Sequence, residues 1–290
     1  MAKGYSGNKW SHGSFHQIIN QIPPHEIFIS GFAGSCAVAK NKLGSHVADF
    51  VCEISSKVIQ EYWNRYRVVT PDEMISCIAD RNNFPADNII HDHAVDNNCG
   101  SGNFLELAKS ELSTVVTYRH QKSEVTTGSM VPGFVVNSDF VQILRSCNHL
   151  LSMDDFIYLD PPYDFSVRKG QRDLYEHELT REQHEEIIQL VLDSKCKVAI
   201  SHYRGELYDQ LLQHGWRVIE WQVMTHGGKK MEALYMNYPE PLELHQYNFL
   251  GKNRTDRQRI KRKKQRWTEK LKGMNSTERY AILSAIDDLK

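Results

Sequence analysis

The chain has 290 residues, 40% of them apolar and 24% charged, which is enough for a large core and excludes wholesale disorder or a fibrous repeat. Lys plus Arg number 35 against 36 Asp plus Glu, a net of −1; taken whole, that balance argues against a nucleic-acid binder, whose footprint is positive. No apolar run approaches the roughly 18 residues of a membrane span, MAKGYSGNKW does not read as a signal peptide, and six cysteines without a CxxC pair read as reduced thiols in a cytoplasmic protein.

In chain order, residues 27–30 (IFIS) lead into GFAGSCAVAKNK, which predicts a strand, a glycine-bearing turn and a helix. HVADFVCEIS predicts a second strand ending at Glu53, with a helix over Ser56 to Trp63. Strand, helix, strand, helix opens an α/β fold with a parallel sheet. Residues 64–134 break that rhythm. They are polar and rich in Asn, His, Ser and Gly, with a helix started by a Thr70–Glu73 capping box and Pro71, and a β-ribbon at VVTYRHQKSEVTTGSM. From 135 the rhythm resumes: FVVNSDF and DFIYLDPPY read as strands, and a Thr180–Gln183 capping box starts a helix to about Leu192. KVAIS, WRVIEW and ALYMNY add three strands, and YDQLLQHG a helix closed by Gly215. The predicted organisation is one α/β domain in two pieces, 1–63 and 135–250, with an insertion at 64–134 too long for a passive loop.

The end differs again. Residues 251–272 hold eleven Lys or Arg against Asp256 and Glu269, a local net of +9 that leaves −10 for the remainder. Ile260, Trp267, Leu271 and Met274 recur at helical spacing, which predicts an amphipathic helix held by one apolar stripe with Trp267 as its anchor. Asn275 and Glu278 then cap a last helix, so 251–290 reads as a basic helical extension.

The chemistry concentrates at Asp160-Pro161-Pro162-Tyr163, where the strand FIYL ends. Ligands of open parallel sheets bind beyond the carboxyl ends of strands. Two prolines fix φ and remove two N–H donors, so the turn presents the Asp160 carboxylate and the Pro161 carbonyl as acceptors beside an aromatic ring. Such a site suits a flat group bearing an NH₂, whose two hydrogens go to the two acceptors while Tyr163 stacks on its face. Accepting both hydrogens favours a pyramidal nitrogen and frees its lone pair for attack. A rigid strand-to-helix turn is the plainer reading of Pro-Pro by itself. GFAGSC would let a cofactor approach the backbone, Glu53 lies where such folds place an acid on ribose hydroxyls, and Asp139 reads equally as a pocket acid or as a helix N-cap. His91-Asp92-His93 reads as loop histidines and not as a metal site.

The succession Tyr5-Ser6-Gly7-Asn8-Lys9, Phe32-Ala33-Gly34-Ser35, Glu53-Ile54-Ser55, an insertion, Asp139-Phe140 and then DPPY resembles the α-group adenine-N6 DNA methyltransferases, of which Dam-type enzymes are the familiar members. The resemblance covers nearly the whole chain, including a late strand ending Asn237-Tyr238 and the basic end. Three positions depart: Tyr-Ser-Gly-Asn-Lys stands for Trp-Ala-Gly-Gly-Lys, Ser30-Gly31 for Glu-Pro, and Glu53 for the commoner Asp. The resemblance implies a Rossmann-like S-adenosylmethionine-dependent methyltransferase fold with 64–134 as target-recognition insertion. It places Tyr5, Lys9, Phe32, Ala33, Gly34, Ser35, Glu53, Ile54, Asp139, Phe140 and Asp160 around S-adenosylmethionine, with no metal. Asp160 and the Pro161 carbonyl of the Asp160-Pro161-Pro162-Tyr163 turn would hold the target amine, and Tyr163 would stack on the flipped adenine. Duplex DNA is the implied partner. Arg119, Gln121 and Lys122 of the ribbon would read bases, and Arg259, Arg262, Lys263 and Arg266 of the basic helix would meet phosphates. A cytoplasmic bacterial or phage enzyme is implied, a monomer on DNA, with a restriction endonuclease as a possible companion. The rival readings are the same chemistry on RNA adenine or a protein amide nitrogen, and a non-catalytic DNA-binding relative.

Overall fold

The computed structural model describes residues 14–81, 133–168, 174–225 and 228–289. In order these form α1 (Ser14–Ile19), β1 (Ile27–Gly31), α2 (Ala37–Asn41), β2 (Ala48–Glu53), α3 (Ser56–Tyr62), β3 (Arg67–Val69), α4 (Pro71–Ala79), β4 (Gly133–Asn137), α5 (Phe140–Cys147), β5 (Phe156–Leu159), α6 (Arg181–Leu192), β6 (Lys197–Tyr203), α7 (Glu206–Asp209), β7 (Arg217–Thr225), β8 (Gly228–Met236), α8 (Arg254–Lys272) and α9 (Ser276–Asp287).

The strands make one sheet in the order β3-β4-β2-β1-β5-β6-β8-β7. β1 to β6 pair in parallel, and β8 runs antiparallel to both β6 and β7. The central strands β1, β2, β4 and β5 are almost wholly buried because both sheet faces are covered there. Ile27, Ile29, Phe50, Ile157 and Leu159 face a core closed by α4, α5 and α6. Phe28, Val51, Phe156 and Tyr158, one step along each strand, face a second core closed by α1, α2 and α3. This is the Rossmann-like α/β fold that the resemblance implies. The chain runs from β1 to β2 on one side and from β5 to β6 on the other, so the β1–β5 boundary is the switch point where such sheets open a crevice.

Local chemistry sets the element ends as expected. Thr70 with Glu73, and Thr180 with Gln183, form complete capping boxes, Asn275 accepts from the Glu278 amide, and Gly215 ends its helix at φ 81°. The five described cysteines are free and buried. Among the described residues no helix is long and apolar enough to cross a membrane.

Two readings change. β3 and α4 fall inside the span 64–134, yet β3 pairs with β4 and Met74, Cys77 and Ile78 join the main core. Arg81, just beyond, grips Glu26 (2.6 Å) and Asp155 (2.8 Å), the residues that precede β1 and β5. The sheet's own unit therefore runs past residue 63 to at least 81; polar composition hid a short edge strand. Residues 82–132 of that span, with Arg119, Gln121 and Lys122, lie outside the described residues, as do Tyr5 and Lys9. Second, Trp267 is no anchor: it is 55% exposed, and α8 buries none of its residues. Helical spacing of apolar residues shows a stripe but not a partner for it. Asn237 and Tyr238 follow directly on β8, at the end of the sheet away from DPPY. There Asn237 spans the Val198 amide (2.7 Å) and the Cys196 carbonyl (2.9 Å), and Tyr238 donates to the Gln21 carbonyl (2.9 Å).

Candidate active site

A cavity of 430 Å³ opens at the carboxyl ends of β1, β2, β4 and β5. Its floor is the turn after β1. Phe32 and Gly34 both take positive φ, 56° and 49°, a conformation costly for a residue with a side chain. The surroundings hold it there. The Ala33 amide donates to the Cys52 carbonyl (3.1 Å), the Trp63 indole donates to the Gly34 carbonyl (2.7 Å), and the Phe32 ring meets Phe140 edge-on at 5.4 Å. Gly31 is required beneath it, since a Cβ would stand 2.6 Å from the Phe140 ring. Ser30 is fully buried and donates to Cys36 Sγ (3.3 Å), so this position supplies no acidic group to the cavity.

Glu53 ends β2 and is the strut of the site. One carboxylate oxygen accepts the Gly34 amide (2.7 Å) and the other the Ser55 amide (2.9 Å). Charge-assisted bonds to backbone donors are strong, and each oxygen retains a lone pair. Asn137, at the end of β4, donates to the carbonyls of Glu53 (3.0 Å) and Ile54 (2.9 Å) and so locks the two strand ends together. Ile54 is 44% exposed yet lines the cavity beside Val58, an apolar shelf next to a carboxylate. Asp139 fulfils both readings: it caps α5 through the Val141 amide (2.9 Å) and lines the cavity.

Of the DPPY turn, Asp160 and Pro162 line the cavity. Pro161 is buried and is not part of the wall. Tyr163 also stands outside it, with its ring edge-on to Tyr203 at 4.6 Å and tilted against His202 at 4.8 Å. Its hydroxyl donates to the buried Glu232 carboxylate on β8 (2.5 Å). Burial, then the charges of Glu232 and Asp160, push this phenol well above its ordinary pKa, so it is a donor. His202 accepts the Asp164 amide at Nε2 (3.0 Å) and meets the Tyr203 carbonyl at Nδ1 (2.8 Å); that pair of partners requires the neutral Nδ1–H form.

The remaining wall, residues 174–179 with Gln183, was not foreseen. Arg168 holds it. Its guanidinium donates to the Tyr163 carbonyl and forks onto Glu178 (2.8 and 2.6 Å), while Glu178 Oε1 also accepts the amides of Leu174 (2.7 Å) and Tyr175 (3.1 Å). Burial raises the Glu178 pKa, but the Arg168 and backbone hydrogen bonds outweigh it and the carboxyl lies below its ordinary value. The DPPY backbone and the outer wall are thus one hydrogen-bonded unit. The only sequence signal was an Arg and a Glu ten residues apart in a polar stretch, which does not mark a fork. Among the described residues no cluster of three His, Cys, Asp or Glu is placed to hold a metal.

No protein-family model matches the chain, and no curated protein does. Solved structures similar to it include a precorrin-8w decarboxylase of Methanobacterium thermoautotrophicum (8% identity, 76% of this chain and 85% of that one, TM-score 0.34). Others are an rRNA methylase of Streptococcus thermophilus (8%, 76% and 92%, 0.35) and a SAM-dependent methyltransferase of Agrobacterium tumefaciens (9%, 77% and 58%, 0.34). Likeness at this depth assigns no activity.

Proposed function

We propose that the protein is a Dam-type S-adenosylmethionine-dependent methyltransferase acting on N6 of adenine in duplex DNA. One observation carries the reading: Asp160 of the DPPY turn lines the same cavity as the Phe32–Gly34 turn and Glu53. The residues suit the cofactor. Glu53 offers lone pairs to ribose hydroxyls, the exposed Ile54 offers a flat apolar surface to a purine, and Glu53, Asp139 and Asp160 give a cationic group a negative wall. When bound, S-adenosylmethionine supplies an electrophilic methyl on a sulfonium.

The chain's own residues do the rest. Asp160 accepts a hydrogen from the target amine, localises its lone pair and is the group placed to take a proton from N6. Its place at a strand end, followed by two prolines, keeps that carboxylate fixed, and positioning is the main source of acceleration for such transfers. Tyr163, held by Glu232, offers a ring whose tilt is already set. An adenine must leave the helix to reach Asp160, and the cations of α8 would hold the duplex while it does.

Sequencing host DNA with base-modification detection after expression tests this. The reading expects one short motif carrying N6-methyladenine. An unmethylated genome, or labelled methyl that enters RNA or protein but not duplex DNA, overturns it.

A further inference from the structure

α8 is a helix with no face committed to the body. Phe249, just before it, packs on Phe15 at 5.3 Å and His16 at 4.8 Å, and Arg257 in its first turn is near enough to help burial hold His16 at a pKa of about 4. Beyond that root, only Ile260 and Leu271 are even partly covered. Lys261, Arg262, Lys263 and Lys264 are consecutive, and residues about 100° apart encircle a helix in four steps. Positive charge therefore surrounds α8.

A helix that lies across a duplex backbone uses one face, and cations elsewhere stay in solvent. A helix inside a groove has phosphates of both strands on its two flanks. The major groove of B-DNA is about 12 Å wide and admits a helix of about 10–12 Å with side chains. The major groove of A-form RNA is too deep and narrow. The 19 residues of α8 extend about 28 Å, most of one duplex turn of about 34–36 Å. We propose that α8 enters the major groove of duplex DNA and is flanked by both strands, so that it selects B-form DNA over RNA by shape. This rests on the DNA reading for its partner and adds where the helix sits.

The test uses the full chain with a fluorescent 20-base-pair duplex DNA and the duplex RNA of the same sequence, with affinity measured across salt. Lys261 and Lys272 project to one side of the helix, Lys263 and Lys270 to the other. Replacing either pair with Gln is expected to lower the slope of log affinity against log salt by about 2, since each phosphate contact contributes about 0.9, with helix content unchanged by circular dichroism. The duplex RNA is expected to bind more weakly, and neither pair to change its slope. If only one pair matters, or if RNA binds as well as DNA, the groove placement is wrong and the DNA reading stands. If the intact protein binds no duplex DNA, both fall.

Discussion

The Glu53 carboxylate and the Gly34 amide meet at 2.7 Å across 19 residues of sequence, and this bond fastens the strained β1 turn to the end of β2. Glu53→Ala removes the acceptor for two buried backbone donors, Gly34 and Ser55. Leaving such donors unmet costs about 1–3 kcal/mol each. The variant should lose stability in urea by about that order, and should bind S-adenosylhomocysteine at least tenfold more weakly by calorimetry. Wild-type affinity in Glu53→Ala would remove Glu53 from the cofactor site.

Tyr163 and Glu232 make the second long-range bond. Tyr163→Phe keeps the ring and takes away a 2.5 Å donor from a carboxylate that is 4% exposed. A destabilisation of about 1–3 kcal/mol is expected, with Glu232→Gln milder because an amide oxygen still accepts. Unchanged denaturation midpoints in both variants would show that this bond contributes nothing.

Arg168 is predicted to act on cofactor binding at a distance from the cavity floor. Arg168→Ala frees the Tyr163 carbonyl and Glu178 together, so the 174–179 wall loses its hold. Arg168→Lys keeps the charge but cannot fork onto both carboxylate oxygens. S-adenosylhomocysteine affinity should fall about tenfold in Arg168→Ala, an order set by the loss of a charge-assisted bond, and only partly recover in Arg168→Lys. Full recovery in Arg168→Lys would mean that charge, not geometry, matters.

His184 should contribute to acid sensitivity, together with His16, His25 and His245, whose pKa values burial also lowers. His184 is fully buried, and burial, only partly offset by Asp164, lowers its pKa from 6.5 to about 4. Between those values the unfolded chain binds a proton that the folded chain refuses, so stability falls as pH drops from about 6.5 to about 4 and this contribution is flat below. The full loss is about 3 kcal/mol at 1.36 kcal/mol per pH unit. His184→Gln should lower the slope of unfolding free energy against pH over that window by about one proton, about 1.36 kcal/mol per pH unit; an unchanged slope would leave the acid sensitivity to the other buried histidines.

What the sequence made legible was local. The Phe32–Gly34 turn, Glu53 and Asp160 each end a short apolar strand, and capping boxes at Thr70 and Thr180 need only three residues of spacing. The contacts that finish the site are not local. Tyr163 reaches Glu232 across 69 residues, and Asn137 reaches Glu53 across 84, distances over which no spacing rule operates. The Arg168–Glu178 fork is near in sequence, but nothing in a charged stretch says which ions will be buried. Trp267 failed for another reason: periodicity reveals a stripe, and only packing decides whether anything covers it.

Asp160→Ala tests the central claim most directly. With radiolabelled S-adenosylmethionine and duplex DNA, the wild-type chain is expected to place label on adenine N6. Asp160→Ala should transfer none while still binding S-adenosylhomocysteine, because Glu53 and the β1 turn remain. Wild-type turnover by Asp160→Ala would contradict the account.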